Sequence, residues 1–485
     1  MVSETEALAC AATAISPDLG RPTSGTARLE DRVREQLSEI NSFHENGQLV
    51  KSSSELEEFE RTAVRLCDEL AGLLVAYGIQ NSVESKDMTE EMQHLVGNHP
   101  KKLRNHGVRK VEIRPSRGES IPIFVSYFCV KGRKLCSTKR DKGLYPSLMI
   151  LGINDRCTPC LLSDVALATT ALASLEEARK LLESRGIYMN IKTIRSVTYR
   201  YGERARQTLQ SDRFGFDEDW SKRRVVVSLD GGRVRIRKNK RGPRTKKGGK
   251  RYQTDWREPK LFHLYVLDED GNKARDVLPI IDGTLEGPDA VMMLLMHYFI
   301  KLNIPSADLI MVVADGAPWI WKRMKSLLQQ LEVPSDKIVE LLDFFHAVEH
   351  LECLANLRKG WSGEERKKWV KQQKALLKKG CIDKFIEKIE SICLGRNGKK
   401  IRKQRDYFLR NRDRLDYSAA KRNSLPRGSG PMESAIRRVI NLRLKGAGIF
   451  WHQENAEAMI VLRSYYKSGR WGQLEAMASV NSLCA

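Results

Sequence analysis

The stretch "LIMVVADGAPWIWKRM", Leu309 to Met324, sets the fold class. An almost unbroken apolar run from Leu309 to Val313 reads as a buried strand, and the spacing of Trp319, Trp321 and Met324 beyond it reads as helix. Between the two stand one acid, Asp315, and Gly316. In open sheets with helices on both faces, ligands collect outside the carboxyl ends of strands. Asp315 is therefore either a turn residue or a site residue.

Outward from this stretch the same texture continues. "RRVVVSLDGGRVRIR", "KLFHLYVLDED" and "ARDVLPIIDGTLEG" predict three consecutive strands, "PDAVMMLLMHYFIKLNI" a helix, and "KIVELLDFFHAVEHL" a strand feeding a helix. That order describes an α/β region over residues 223–350, a mixed sheet with helices on its faces. Residues 351–425 are almost wholly helical in pattern and strongly basic, which predicts an all-α insertion. Residues 426–485 resume with two helices separated by a break at Gly446 to Gly448.

The part before the sheet is mainly helical. Residues 1–27 read as a disordered tail of small residues, and 28–100 as a helical region in which Ser54 and Glu57 fit a capping box. There Leu56, Phe59, Ala63, Leu66, Leu70 and Leu73 recur at alternating three and four spacing, as a core-facing stripe or a dimer contact. Residues 101–160 switch to strand character with a hairpin around Ser116 to Glu119. They carry Cys129, Cys136, Cys157 and Cys160, enough thiols for the structural Zn²⁺ of a zinc ribbon, although the first pair is spaced more widely than a usual half-site. Residues 161–222 predict helices, with a cap at Ser174 and Glu177, a turn at Gly186, and a helix bearing Lys192, Arg195 and Arg200. This layout fits a DNA-binding helix-turn-helix and an ordinary helical hairpin equally.

Charge narrows the partners. With 84 Lys+Arg against 61 Asp+Glu the formal charge is +23, which favours a polyanion, most simply nucleic acid. The N-terminus lacks the basic and apolar regions of a secretory signal, and no apolar run is long enough to predict a membrane span. Ten scattered cysteines suit a reducing, cytoplasmic setting.

The acids supply the chemistry. Asp230 ends the run "VVVSLD" just as Asp315 ends its own, and Gly231 and Gly232 after it allow close backbone approach or positive φ. Glu433 sits in the first turn of a helix after "RGSGP", with Pro431 near its start. Singly, each acid reads as a turn residue or as one favoured by a helix dipole. Together they can hold a pair of hard divalent cations through oxygen. Two such ions stabilise the attacking and leaving oxygens of an in-line phosphoryl displacement. Cations for the polyanion are close in sequence: Arg437, Arg438, Arg443 and Lys445 follow Glu433. "RVRIRKNKRGPRTKKGGKR" from Arg233 reads as a long cationic loop bearing Arg235, Arg237, Lys238, Lys246 and Lys247. Such groups hold phosphates and position DNA without specifying sequence. Asp282 and Asp343 also end apolar runs and compete for the site, while Trp319 and Trp321 read as core packing or as a surface for an unstacked base.

In order and context, "SLDGGR", "VVADGAPWIW", "DFFHAVEHL" and "GSGPMESAIRRVINLRLKGAGIFW" resemble the catalytic domain of bacterial insertion-sequence transposases of the DDE type, within the Mutator-like grouping. The resemblance covers about residues 223–466. It implies an RNase H-like fold with Asp230, Asp315 and Glu433 as the triad for two Mg²⁺ or Mn²⁺, and a helical insertion between the second and third acids. It also likens Asp343 to His346 to an Asp-x-x-His motif, which puts His346 near the scissile phosphate. The implied protein is a DNA transposase that cuts and joins double-stranded DNA, element ends and target alike, as a homodimer or larger assembly in the bacterial cytoplasm.

Besides a non-catalytic DNA-binding protein, two rival readings remain. One is a structure-specific DNA nuclease of the same fold that does not join strands. The other is a zinc metallopeptidase, because His346 to His350 satisfies the inverted zincin pattern H-x-x-E-H with Glu349 as base. That short match accounts for neither the positive charge nor the other acids. "GPRTKKGGKR" does not supply the P-loop pattern.

Overall fold

The first seven helices and first two strands are α1 (Ser24–Glu45), α2 (Ser53–Glu84), α3 (Lys86–Gly97), β1 (Leu103–Ile113), β2 (Ile121–Val130), α4 (Pro146–Ile150), α5 (Pro159–Ala171), α6 (Leu175–Glu183) and α7 (Ile191–Leu209). They come from a computed structural model that describes residues 24–47, 49–130, 143–244, 248–392 and 398–480. The chain divides into two compact units. Of the described residues, the first holds those within 24–168, 174–197 and 479–480, and the second those within 169–173 and 198–478.

In the first unit, α1 starts at Ser24, inside the segment read as tail; residues 1–23 lie outside the described residues. The cap of α2 is Ser52, whose hydroxyl accepts from the Glu55 amide, two residues before the expected Ser54 and Glu57. Three successive serines offer the same side chain, and the extended backbone of Ser52 selects it. β1 and β2 pair as the expected antiparallel hairpin, Ile113 opposite Ile121. Ile121, Ile123 and Val125 alternate inward onto Leu73, Ala76 and Val83 of α2. Cys129 is half-buried, Cys157 buried and Cys160 exposed, while Cys136 lies outside the described residues. Ser174 caps α6 as expected, Gly186 turns the chain with φ +76°, and Lys192 and Arg195 are exposed on the first turns of α7.

The second unit is built on five strands. These are β3 (Arg224–Gly231), β6 (Lys260–Leu267), β7 (Ile280–Thr284), β8 (Leu309–Ala314) and β9 (Ile338–Leu342); β4 (Val234–Asn239) and β5 (Tyr252–Arg257) form a separate two-stranded ribbon between β3 and β6. The sheet order is β7-β6-β3-β8-β9, with β6 antiparallel to both neighbours and β3, β8 and β9 mutually parallel. It is a mixed α/β sheet, as the alternation of strand and helix patterns predicts. Every residue of β6 is buried, because helices cover both faces.

The covering helices are α8 (Pro288–Lys301), α9 (Pro318–Gln330), α10 (Phe344–Asn356), α15 (Gly430–Ile436) and α16 (Gln453–Ser468). Leu261 and Ile281 meet Met432, Ala435, Met459 and Ile460 in one cluster, while the ring of Phe262, one residue on, packs edge-to-face on Tyr298 of α8. Between α10 and α15 lie α11 (Gly363–Lys379), α12 (Ile382–Ser391), α13 (Lys399–Arg410) and α14 (Tyr417–Arg422), a helical insertion that packs on α10. The chain closes with α17 (Trp471–Ser479). Among the described residues, no helix is long and apolar enough to cross a membrane.

Candidate active site

Parallel pairing sets the site. Val225 lies opposite Ile310 and Val227 opposite Val312, so the same register carried three residues further sets Asp230 level with Asp315. Ala314 lies opposite Leu342, so the next residues, Asp315 and Asp343, are level as well. Three neighbouring strands thus end in three aspartates along one edge of the sheet, with strands about 4.8 Å apart.

Their partners separate them. Asp343 is fully buried and its carboxylate is used up: it caps α10 by accepting from the amides of Phe345 at 2.7 Å and His346 at 2.9 Å, and it accepts from the amide and the hydroxyl of Ser429. It ties the first turn of α10, which bears His346, to the residue that opens α15, which bears Glu433. Asp282 is also consumed. Buried in β7, it receives both ends of the Arg206 guanidinium at 2.6 and 2.7 Å, the Gly283 amide at 2.7 Å and the Tyr298 hydroxyl at 2.7 Å. Burial alone would lower the Arg206 pKa, but the Asp282 charge overrides it and raises it. Asp282, a competitor for the site by sequence, is thus half of a buried ion pair.

Asp230 and Asp315 are different. Among the described residues, Asp230 accepts only the Gly231 amide, at 2.6 Å, and Asp315 only the Ala317 amide, at 3.0 Å. Among the described residues neither forms an ion pair. Partial burial raises the Asp230 pKa, and the nearby Asp315 charge raises it further. His346 also lies within electrostatic reach of Asp230. A pair of half-buried carboxylates without a counter-cation fits a hard divalent ion, whose charge would relieve the repulsion and whose preferred donors are carboxylate oxygens.

The backbone around the pair is shaped by close approach. Neither Gly231 nor Gly232 has positive φ; the carboxylate of Glu258 lies where a Gly231 side chain would start. Gly316 is crossed in the same way by the ring of Tyr407, from α13 of the insertion. That ring stacks on His350, with centroids 3.6 Å apart, and burial with the Asp315 charge raises its phenol pKa. Trp321, 5% exposed, donates its indole N–H to the Asp315 carbonyl at 2.8 Å, so it is core, whereas Trp319 is half-buried beneath Lys260. Sequence reasoning missed Glu258, which pairs with Lys260 at 2.7 Å, and Tyr407; neither belongs to a motif, and chain distance hides both.

Glu433 is exposed in the first turn of α15. Met432 and Ala435 fix that helix in the core, but among the described residues no three His, Cys, Asp or Glu side chains are grouped to hold a metal ion. Asp315 and His346 lie within electrostatic range of Asp230, but among the described residues neither His346 nor Glu433 joins the two aspartates in a ligand set. After α15 the chain widens into a π turn, Arg437–Asn441, a feature frequent at functional sites. Arg463 from α16 donates to the Arg438 and Val439 carbonyls of this turn.

No known protein family, characterised protein or solved structure matches the chain. The site therefore rests on its own geometry. Of the expected phosphate-holding cations, Arg233, Arg437 and Lys445 are exposed, and Arg438 is partly so. Arg443 is a correction: it is 7% exposed and lies over the Trp451 ring at 5.2 Å, so packing holds it away from a surface ligand. Of the cationic stretch from Arg233, Val234–Asn239 forms strand β4, paired with β5 (Tyr252–Arg257) beyond its end, so the connecting segment is shorter than the stretch as read. Lys246 and Lys247 lie outside the described residues. The inverted-zincin histidines also diverge: His346 faces Glu349 at 3.5 Å and reaches Asp230, whereas His350 is bonded to Gln404 and stacked on Tyr407.

Proposed function

We propose that the chain is a metal-dependent DNA transposase with an RNase H-like catalytic core, which cleaves phosphodiester bonds and transfers the freed strand. One observation carries this reading. Of four aspartates that end apolar runs, Asp282 and Asp343 are saturated by buried partners, while Asp230 and Asp315 stand level on adjacent strands with oxygens unspent. The mixed sheet, and a helical insertion lying between Asp315 and Glu433, also agree with what the resemblance implies.

Asp230 and Asp315 would hold Mg²⁺ or Mn²⁺, with Glu433 joining when the site closes on DNA. When bound, such ions supply electrostatic stabilisation of the attacking and leaving oxygens. The chain's own groups do the rest. Exposed Arg233, Arg437 and Lys445 hold phosphates, Asp343 sets the helix that presents His346, and Trp321 fixes the backbone of Asp315. Lys192 and Arg195, exposed on α7, would contact the element ends from the first unit as a homodimer or larger assembly joins two ends in the bacterial cytoplasm.

The test is cleavage and joining of double-stranded DNA carrying the element ends, with Mg²⁺ or Mn²⁺. Asp315→Asn should lower cleavage by more than about a hundredfold, beyond what outer-shell changes cost, and leave DNA binding intact. Normal turnover in that variant rejects the assignment. Cleavage without joining leaves the nuclease reading, and activity that needs Zn²⁺ rejects both.

A further inference from the structure

The β4–β5 ribbon carries a surface that the carboxylate site does not use. Every residue of β5 is exposed, and two large rings stand in water there, Trp256 at 50% and Tyr252 at 42% exposure. Each is braced by a cation: the guanidinium of Arg235 lies 5.0 Å from the Trp256 ring centroid and that of Arg237 lies 4.1 Å from that of Tyr252. The register sets Arg235 opposite Trp256, Arg237 opposite Thr254 and Asn239 opposite Tyr252, so these six residues share one face. The alternate face buries Val234 and Ile236 in the core, and Trp451 exchanges backbone hydrogen bonds with Arg235 and Arg237 at 2.9 and 2.7 Å. The ribbon is thus a firm support for an outer face of rings and cations.

Two unpaired donors point to a ligand. The Nε atoms of Arg235 and Arg237 are shielded from water, and among the described residues neither has a hydrogen-bond partner. The rings that shield these atoms hold the two guanidinium groups in place, so their charge is fixed on this face. Exposed Lys240, Arg241, Arg244, Lys250 and Arg251 extend the positive charge along the ribbon. Cations alone would suit any polyanion. Exposed rings beside them add affinity only where base faces are free, because paired bases keep theirs inside the stack.

We propose that this face binds an unpaired polynucleotide strand, its bases against the exposed parts of the Trp256 ring and of the Tyr252 ring, which also packs on Phe450, and its phosphates on Arg235 and Arg237. The inference rests on the nucleic-acid substrate proposed above, but not on the metal chemistry.

The experiment measures binding of the full chain, at one salt concentration, to a fluorescein-labelled single-stranded oligonucleotide of mixed sequence and to the same sequence as a blunt duplex. The Trp256→Ala, Tyr252→Ala double variant should lose about tenfold or more in affinity for the single strand and less than about twofold for the duplex. Trp256→Phe, which keeps a ring, should stay within about threefold of the parent on the single strand, separating stacking from folding. Equal losses on both forms, no loss on the single strand, or a Trp256→Phe loss as large as that of the alanine variant overturns the proposal. If the parent binds duplex but not single strand, this inference alone falls. If it binds neither, the nucleic-acid reading falls with it.

Discussion

Asp282 in β7 and the Asp230–Asp315 pair at the ends of β3 and β8 begin from the same local sequence, an apolar run closed by Asp-Gly. Asp230 and Asp282 even make the same first hydrogen bond, each accepting the amide of the following glycine at 2.6 and 2.7 Å. What divides them arrives from elsewhere in the chain. Arg206 and Tyr298 close over Asp282 and use its whole carboxylate, whereas Asp230 and Asp315 lie within electrostatic range of each other and, among the described residues, form no ion pair. Identical local chemistry therefore becomes a strut in one place and an unspent charge in the other.

That contrast can be broken by stability measurements, since struts and unspent charges must respond in opposite directions. The largest effect is expected at Asp282. Asp282→Ala leaves Arg206 as a buried, unpaired charge and should cost about 3–5 kcal/mol in urea unfolding; a change below about 1 kcal/mol would show that the pair is not a strut. Asp343→Ala removes a helix cap and the bonds to Ser429, together about 2–4 kcal/mol, and should also impair any DNA cleavage by freeing the His346 and Glu433 helices.

A smaller effect sharpens the comparison through His263, buried in β6 between β3 and β7, whose Nδ1 has no partner among the described residues. Burial, with Lys273 and Arg438 nearby, pushes its pKa down to about 3, so the fold holds it neutral. Unfolding releases a group that protonates near pH 6.5, so its contribution is complete above that pH and is lost as pH falls toward the folded value. Between pH 7 and pH 5 the protein should lose about 2 kcal/mol more than a His263→Phe variant; parallel pH profiles would remove the assignment. The smallest effect is expected at Asp230, whose raised pKa means that its charge opposes folding at neutral pH. Asp230→Asn should therefore stabilise by up to about 1 kcal/mol while abolishing cleavage. Destabilisation of the size seen at Asp282 would make Asp230 a structural residue.

The expected cap at Ser174 was legible because one serine preceded one acid at the right distance, and the cap of α2 was missed because three serines in a row offered equal local choices. The start of the cationic stretch, Val234 to Arg237, was legible as strand from its period-two alternation, but its pairing with Thr254 to Arg257 and its burial of Val234 and Ile236 against the core were not. Tyr407 carried no local signal at all. Its role exists because the ring meets Gly316 across the insertion, a contact that no spacing in the chain encodes.

By itself the sequence determined where apolar runs become strands, which segments become helices, that an acid ends each of several apolar runs, and that the chain carries a large positive charge. These follow from side-chain period, capping chemistry and ionisation, which act over a few residues or over the whole composition. The tertiary structure alone decided which aspartates are consumed, that Arg443 is packed away, and that Glu433 is not grouped with Asp230 and Asp315 among the described residues. Each of those outcomes depends on which distant group desolvates or pairs with a charge, and the energy of a carboxylate is set by such neighbours far more than by the residues beside it in the chain.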